Sequence, residues 1–200
     1  MMPWDDEAGS YWGQTWQGLA LAGGHWTGHV FEGCQFIGGD FTQAVLRRCQ
    51  FIDCQFTGCN LSLVAWPASQ LRQVQFVGCK LLGVDWTQLA WPVPALGAPL
   101  SLRECLLDEG NFFGLPLTDL VLSGSRLRRA DLREADLRRA DCQGCDFAGA
   151  LFGHTDLRGA DFGEASDYDI DPLNNRLQGA RFSRFEALRL LAGLGIELVD

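Results

Sequence analysis

A bulky apolar residue returns at every fifth position along almost the whole chain, and this spacing restricts the possible folds more than anything else in the sequence. It is plainest in 130–166, ADLREADLRRADCQGCDFAGALFGHTDLRGADFGEAS. There Leu132, Leu137, Phe147, Phe152, Leu157 and Phe162 keep the beat, Cys142 is the one soft substitute, and the residue two before each is usually small. A strand alternates every two residues and a helix returns every 3.6, so a period of five belongs to neither. Self-similarity at a short fixed period is the mark of a solenoid, whose units bury their apolar faces only against copies of themselves.

The beat extends well beyond that stretch. It starts at Tyr11, runs in unbroken steps to Leu96, gains one residue, and resumes through Leu102, Leu107, Phe112, Leu117, Leu122 and Leu127. It fails twice near Ser166–Pro172 and is restored at Leu177 and Phe182. The organisation that follows is a lead over 1–10, a repeat body over 11–182 with a phase break near 92–101 and a turn near 167–176, and a C-terminal helix and tail over 183–200.

The motif small, Asp or Asn, Leu or Phe, then two variable residues, as in Ala130-Asp131-Leu132-Arg133-Glu134, resembles the pentapeptide repeat family. That resemblance implies an all-β fold, a right-handed quadrilateral β-helix in which four pentapeptides close one coil, with a short C-terminal helix that caps and dimerises. Length, overall pattern and the ending Leu194-Gly195-Ile196-Glu197-Leu198-Val199-Asp200 are further similar to the gyrase-protecting subgroup of Qnr, MfpA, McbG and AlbG type. This similarity implies a non-catalytic DNA mimic that binds a type II topoisomerase, DNA gyrase, and protects it from quinolones or albicidin-like toxins. The alternative is a repeat scaffold for an unrelated protein partner, with no part in drug resistance.

If four pentapeptides close a coil, residues twenty apart lie above one another. Phe31, Phe51 and Leu71 then form one internal column and Phe36, Phe56 and Phe76 another. Trp16 and Trp26 are large for so narrow an interior and leave open a wider first coil capped by indoles. Pro92, Pro94 and Pro99 remove backbone donors, so the ladder is expected to break there into a bulge or small loop. Ser183 with Glu186 three residues later reads as a capping box opening a helix, with Phe185, Leu188, Leu191 and Leu194 on one face and Gly193 or Gly195 ending it. The apolar character continues into Ile196 and Leu198, and these six residues are the expected homodimer interface.

Eight cysteines suggest a disulfide or metal framework until their positions are read. Seven stand at the small site two before a bulky residue and Cys142 stands at a bulky site, so they are expected to be core fillers. Their spacing does not match paired zinc knuckles, and no metal or other cofactor is expected. His25, His29 and His154 are scattered, and neither a nucleophile elbow nor a phosphate loop is present. The reading is therefore not an enzyme.

Net charge is −9, which argues against direct nucleic-acid binding and for a partner that itself binds phosphates. Residues 101–200 hold 18 acids and 12 bases, against 7 and 4 in the first hundred, so the second half carries the greater excess. Asp131, Asp136, Asp141, Asp146, Asp156 and Asp161 each precede a bulky residue and form the candidate acidic partner surface. At the same site an Asp can also bond the local backbone in each turn. Duplex DNA carries one charge per about 1.7 Å, so −9 spread over about eight coils of about 4.8 Å is a dilute imitation. The acidic start Met1-Met2-Pro3-Trp4-Asp5-Asp6-Glu7 lacks the pattern of a secretory signal, and no apolar run could span a bilayer; a cytoplasmic protein off the membrane is the expectation.

Overall fold

In a computed structural model, which describes residues 8–91, 100–197 and 199, the chain winds into a β-solenoid of about eight coils. Every strand pair is parallel, as a coil that always turns the same way demands. The first side stacks Ser10–Trp12, Val30–Glu32, Gln50–Ile52 and Gln70–Arg72. The second side stacks Thr15–Gln17, Gln35–Ile37, Gln55–Thr57, Val74–Val77 and Leu100–Arg103. The third side is a ladder of single bridges from Ala20 and Asp40 onward, and the fourth opens with His25–Thr27 beside Val45–Arg47.

The five-residue pitch has a backbone cause. Nearly every corner places the second residue after the bulky one in the left-handed region, whether it is Gly58 (φ 60°) or Arg48 (φ 50°); after Trp86 a 3-10 turn, Trp86–Gln88, takes its place. A tight corner is closed by a bond from the third residue back to the bulky one, as from Ala44 N–H to Phe41 O at 2.9 Å, the geometry of a type II turn. Side chains outside glycine accept this conformation at a cost of about 1–2 kcal/mol each, outweighed by the ladder that continues on both flanks.

The interior follows the expected columns. Phe31 pairs in register with Phe51 and Phe51 with Leu71, while Phe36, Phe56 and Phe76 stack with centroids 4.5 and 5.0 Å apart and rings tilted by 10° and 13°. Indoles are not confined to the first coil. Trp66 and Trp86 are fully buried in the middle of the rod, Trp66 edge-on to Phe51 at 89° and Trp86 stacked on Phe112 at 5.6 Å. Each indole meets one ring edge-on, Trp66 against Phe51 and Trp86 against Phe76 at 81°. The nitrogen of each is left without a partner among the described residues, at a cost of about 1–3 kcal/mol.

The register measures the phase break. Val74 pairs with Leu100, Lys80 with Leu106 and Asp85 with Asn111, so this coil holds 26 residues and the others 20. Ala90 N–H still reaches Ser69 O at 2.8 Å, so the excess falls between Trp91 and Leu100. The expected proline-rich loop at 92–99 lies outside the described residues.

Two C-terminal expectations are corrected. The 167–176 segment is more than a turn, because Tyr168 and Ile170 point inward and fill the core where the beat fails. The helix is a 3-10 turn, Glu186–Leu188, continued by one α-helical turn, Arg189–Ala192. No capping box forms, since Glu186 Oε2 instead accepts from Asp167 N–H at 3.2 Å and no side chain caps the helix start. Leu190, which the sequence did not single out, packs on the core. Gly193 caps the end of the helix and lies so close to the preceding segment that a Cβ there would sit 2.7 Å from Pro172, and Gly195 (φ 69°) turns the chain two residues on.

Candidate interaction surface

The six aspartates all occupy the bridging position before a bulky residue, and the corner that follows explains why. Each accepts a hydrogen bond from the backbone N–H two residues on, as Asp131 from Arg133 (3.1 Å), Asp141 from Gln143 (3.1 Å) and Asp161 from Gly163 (2.9 Å). Their first task is thus local, holding the turn.

They do not form one surface. Asp131 lies on the fourth side and Asp146 on the third, whereas Asp136 with Asp156 share the first side and Asp141 with Asp161 the second. The bridges Asp136 to Asp156 and Asp141 to Asp161 make two stacked carboxylate pairs on adjacent sides. Arginines neutralise most of this charge. Arg133 holds Asp131, Arg138 holds Asp136, Arg128 holds Asp146, Arg158 and Arg176 hold Asp156, and Arg181 holds Asp161. The Arg133 bonds keep the Asp131 carboxyl below its ordinary range, and Arg158 does the same for Asp156. For Asp136 and Asp146 burial is the largest single influence and pushes up, but the arginine bonds and the backbone N–H bonds together hold both carboxyls below the ordinary range. Asp141 is the one of the six with no arginine partner among the described residues.

The small site carries a role that core filling does not cover. Where a corner is open, its inward N–H and C=O are stitched by the small residue of the next coil. Ser69 Oγ accepts from Cys49 N–H (2.8 Å) and donates to Leu46 O (2.5 Å), and Ser125 does the same for Cys105 and Leu102. Cys59 works alike, its thiol donating to Phe36 O (3.3 Å) and accepting from Gly39 N–H (3.4 Å). All eight cysteines are buried free thiols, and burial pushes Cys54 up to about 11 and Cys145 up to about 12, away from nucleophilic chemistry. The available signal was the residue choice itself: Cys, Ser, Thr and Asn share this site, and all can donate.

At the C-terminal end Phe185 (82% exposed), Leu188, Leu194 and Ile196 are exposed and Leu191 is half-buried; Leu198 lies outside the described residues. Arg189 draws Asp167, Asp169 and Glu186 together beside them. Among the described residues no group of three or more His, Cys, Asp or Glu is placed to hold a metal ion, and no helix is long and apolar enough to cross a membrane.

Family models agree with this geometry. The model for the pentapeptide repeat region matches residues 29–112, and that for pentapeptide repeats in eight copies matches 117–153. No curated protein sequence matches the chain. Among solved structures, a trypsin-treated variant of QnrB1, a plasmid-mediated fluoroquinolone resistance protein, is similar with a TM-score of 0.64 and 21% identity, over 96% of this chain and 92% of that one. Full-length QnrB1 is similar at 0.57 and 20% identity, over 91% of this chain and 100% of that one. HetL from the cyanobacterium Nostoc sp. strain PCC 7120, involved in heterocyst differentiation regulation, is similar at 0.54 and 20% identity, over 88% and 86%.

Proposed function

Because this chain belongs to the pentapeptide repeat family, we propose that it is a non-catalytic, DNA-mimicking rod that binds DNA gyrase and protects it from an inhibitor of quinolone or albicidin-like type. The observation that carries the proposal is the pair of carboxylate columns, Asp136 over Asp156 and Asp141 over Asp161, on adjacent sides of a rod with net charge −9. Its similarity to QnrB1 over nearly the full length of both chains supports the choice of partner. The carboxylates meet Arg and Lys of the enzyme where duplex DNA would lie, giving register and steering more than raw affinity. Since Arg138 and Arg158 already occupy the first column, partner cations compete with them, and Asp141 offers the least contested contact. Two copies joined through Phe185, Leu188, Leu194 and Ile196 would double the length of the charged rod.

A DNA supercoiling assay with gyrase and a quinolone tests this reading. Addition of the protein is expected to restore supercoiling in the presence of drug, and no protection at stoichiometric excess removes the proposal. HetL favours a second reading, because it sets the same fold in a regulator of differentiation. In that reading the rod is a scaffold for another protein and the aspartates serve only turns; affinity capture recovers gyrase subunits in the first case and not in the second.

A further inference from the structure

A buried histidine fastens the first coil. His29 is fully excluded from solvent, and its ring stacks on Tyr11 and on Phe31, each with centroids 6.1 Å apart and planes tilted by 27°. Its Nδ1 accepts a hydrogen bond from Gly9 N–H at 3.3 Å. That bond puts the ring proton on Nε2, which is buried and has no partner among the described residues. Tyr11 folds back beneath Gly9, where a Cβ would lie 2.6 Å from the phenol oxygen. The small sites above His29 on this side are Cys49 and Ser69, neither of which can gain a proton near neutral pH.

We propose that His29 is a pH-sensitive latch: the neutral imidazole holds residues 9–28 against the rod, and its protonation releases that coil and bares the backbone edge of Val30–Glu32. Protonation turns Nδ1 from an acceptor into a donor that faces the donor Gly9 N–H. It also sets a charge in a site closed to water. Stacking on Tyr11 and Phe31 offsets part of that penalty, but no ring face replaces the lost bond.

Among the described residues, the ionisable groups beside His29 are the Tyr11 phenol and the Cys49 thiol, and burial pushes that thiol up. The side chains of His25, Glu32, Arg47 and Arg48 on the adjoining strands and corner are exposed. Burial holds the His29 pKa below its ordinary value. The stabilisation is therefore complete above the unfolded value of about 6.5 and is lost as pH falls from there toward the lower folded value. Among the described residues the first coil has one neighbouring coil where interior coils have two, so it opens before them.

Hydrogen exchange read by mass spectrometry, corrected for intrinsic rates, tests the latch on the full chain. Between about pH 7.5 and about pH 5, protection of residues 9–28 is expected to fall by about tenfold or more while that of 100–160 stays level. His29→Cys, which repeats the residue used one coil on, is expected to keep the first coil's protection level. A level profile in the natural protein, or an equal fall in the variant, overturns the proposal. Should the variant not fold, an NMR titration of the natural protein decides. First-coil amide signals that fade along the His29 titration curve support the latch, and signals that persist once His29 is protonated overturn it.

Discussion

Asp156 and Arg158 are joined by two parallel hydrogen bonds, 2.8 Å from Nε and 2.6 Å from Nη2, so a carboxylate of the candidate surface already has a cation within its own repeat. Asp136 and Arg138 repeat the arrangement one coil earlier at 2.8 and 2.6 Å. The rod thus carries zipped columns of opposite charge, and its acidity is a surplus left after pairing.

Unzipping one column tests whether those carboxylates meet the partner. If they do, Arg138→Gln with Arg158→Gln strengthens gyrase binding several-fold and steepens its dependence on salt, whereas Asp136→Asn with Asp156→Asn weakens it by a similar factor. Titration at two ionic strengths is the measurement, and equal affinities for both double variants would move the contact elsewhere.

Phe56 lies between Phe36 and Phe76 in one column and is fully buried. Phe56→Ala opens a cavity that neighbouring rings on a fixed ladder cannot collapse into, so a loss of about 3–5 kcal/mol in denaturant unfolding is expected.

Ser69→Ala removes the hydroxyl that stitches Cys49 N–H to Leu46 O. Two backbone groups are then buried without partners, and a loss of about 1–3 kcal/mol is expected. Ser69→Cys should recover most of it, because thiols fill this site in other coils. Thermal melts of the two variants side by side read the difference.

The exposed C-terminal side chains make a prediction about mass. Phe185→Asp with Leu188→Asp alters residues 82% and 48% exposed, which leaves the coil core intact. Light scattering is expected to report a dimer for the natural chain and a monomer for the variant, with unchanged circular dichroism. A monomer in both cases removes the dimer.

The coil is legible in the spacing of residues along the chain. A five-residue beat of Leu, Phe and Trp can be buried only if the backbone turns at every fifth residue, and once it does, the stacking of Phe36 on Phe56 follows from spacing alone. What neighbouring coils do to one another emerges only once the chain is wound. Six aspartates in one motif are identical in sequence, yet winding sends them to four sides and sets an arginine against five of them. Cysteine and serine at the small site look like filler until the coil beneath presents an open corner. Tyr168 and Ile170 leave the beat and still reach the core, because a loop needs only to arrive in the right place. Periodicity records which residues must be buried together; the direction of each hydrogen bond and ion pair depends on what lies one coil away, about twenty residues distant along the chain.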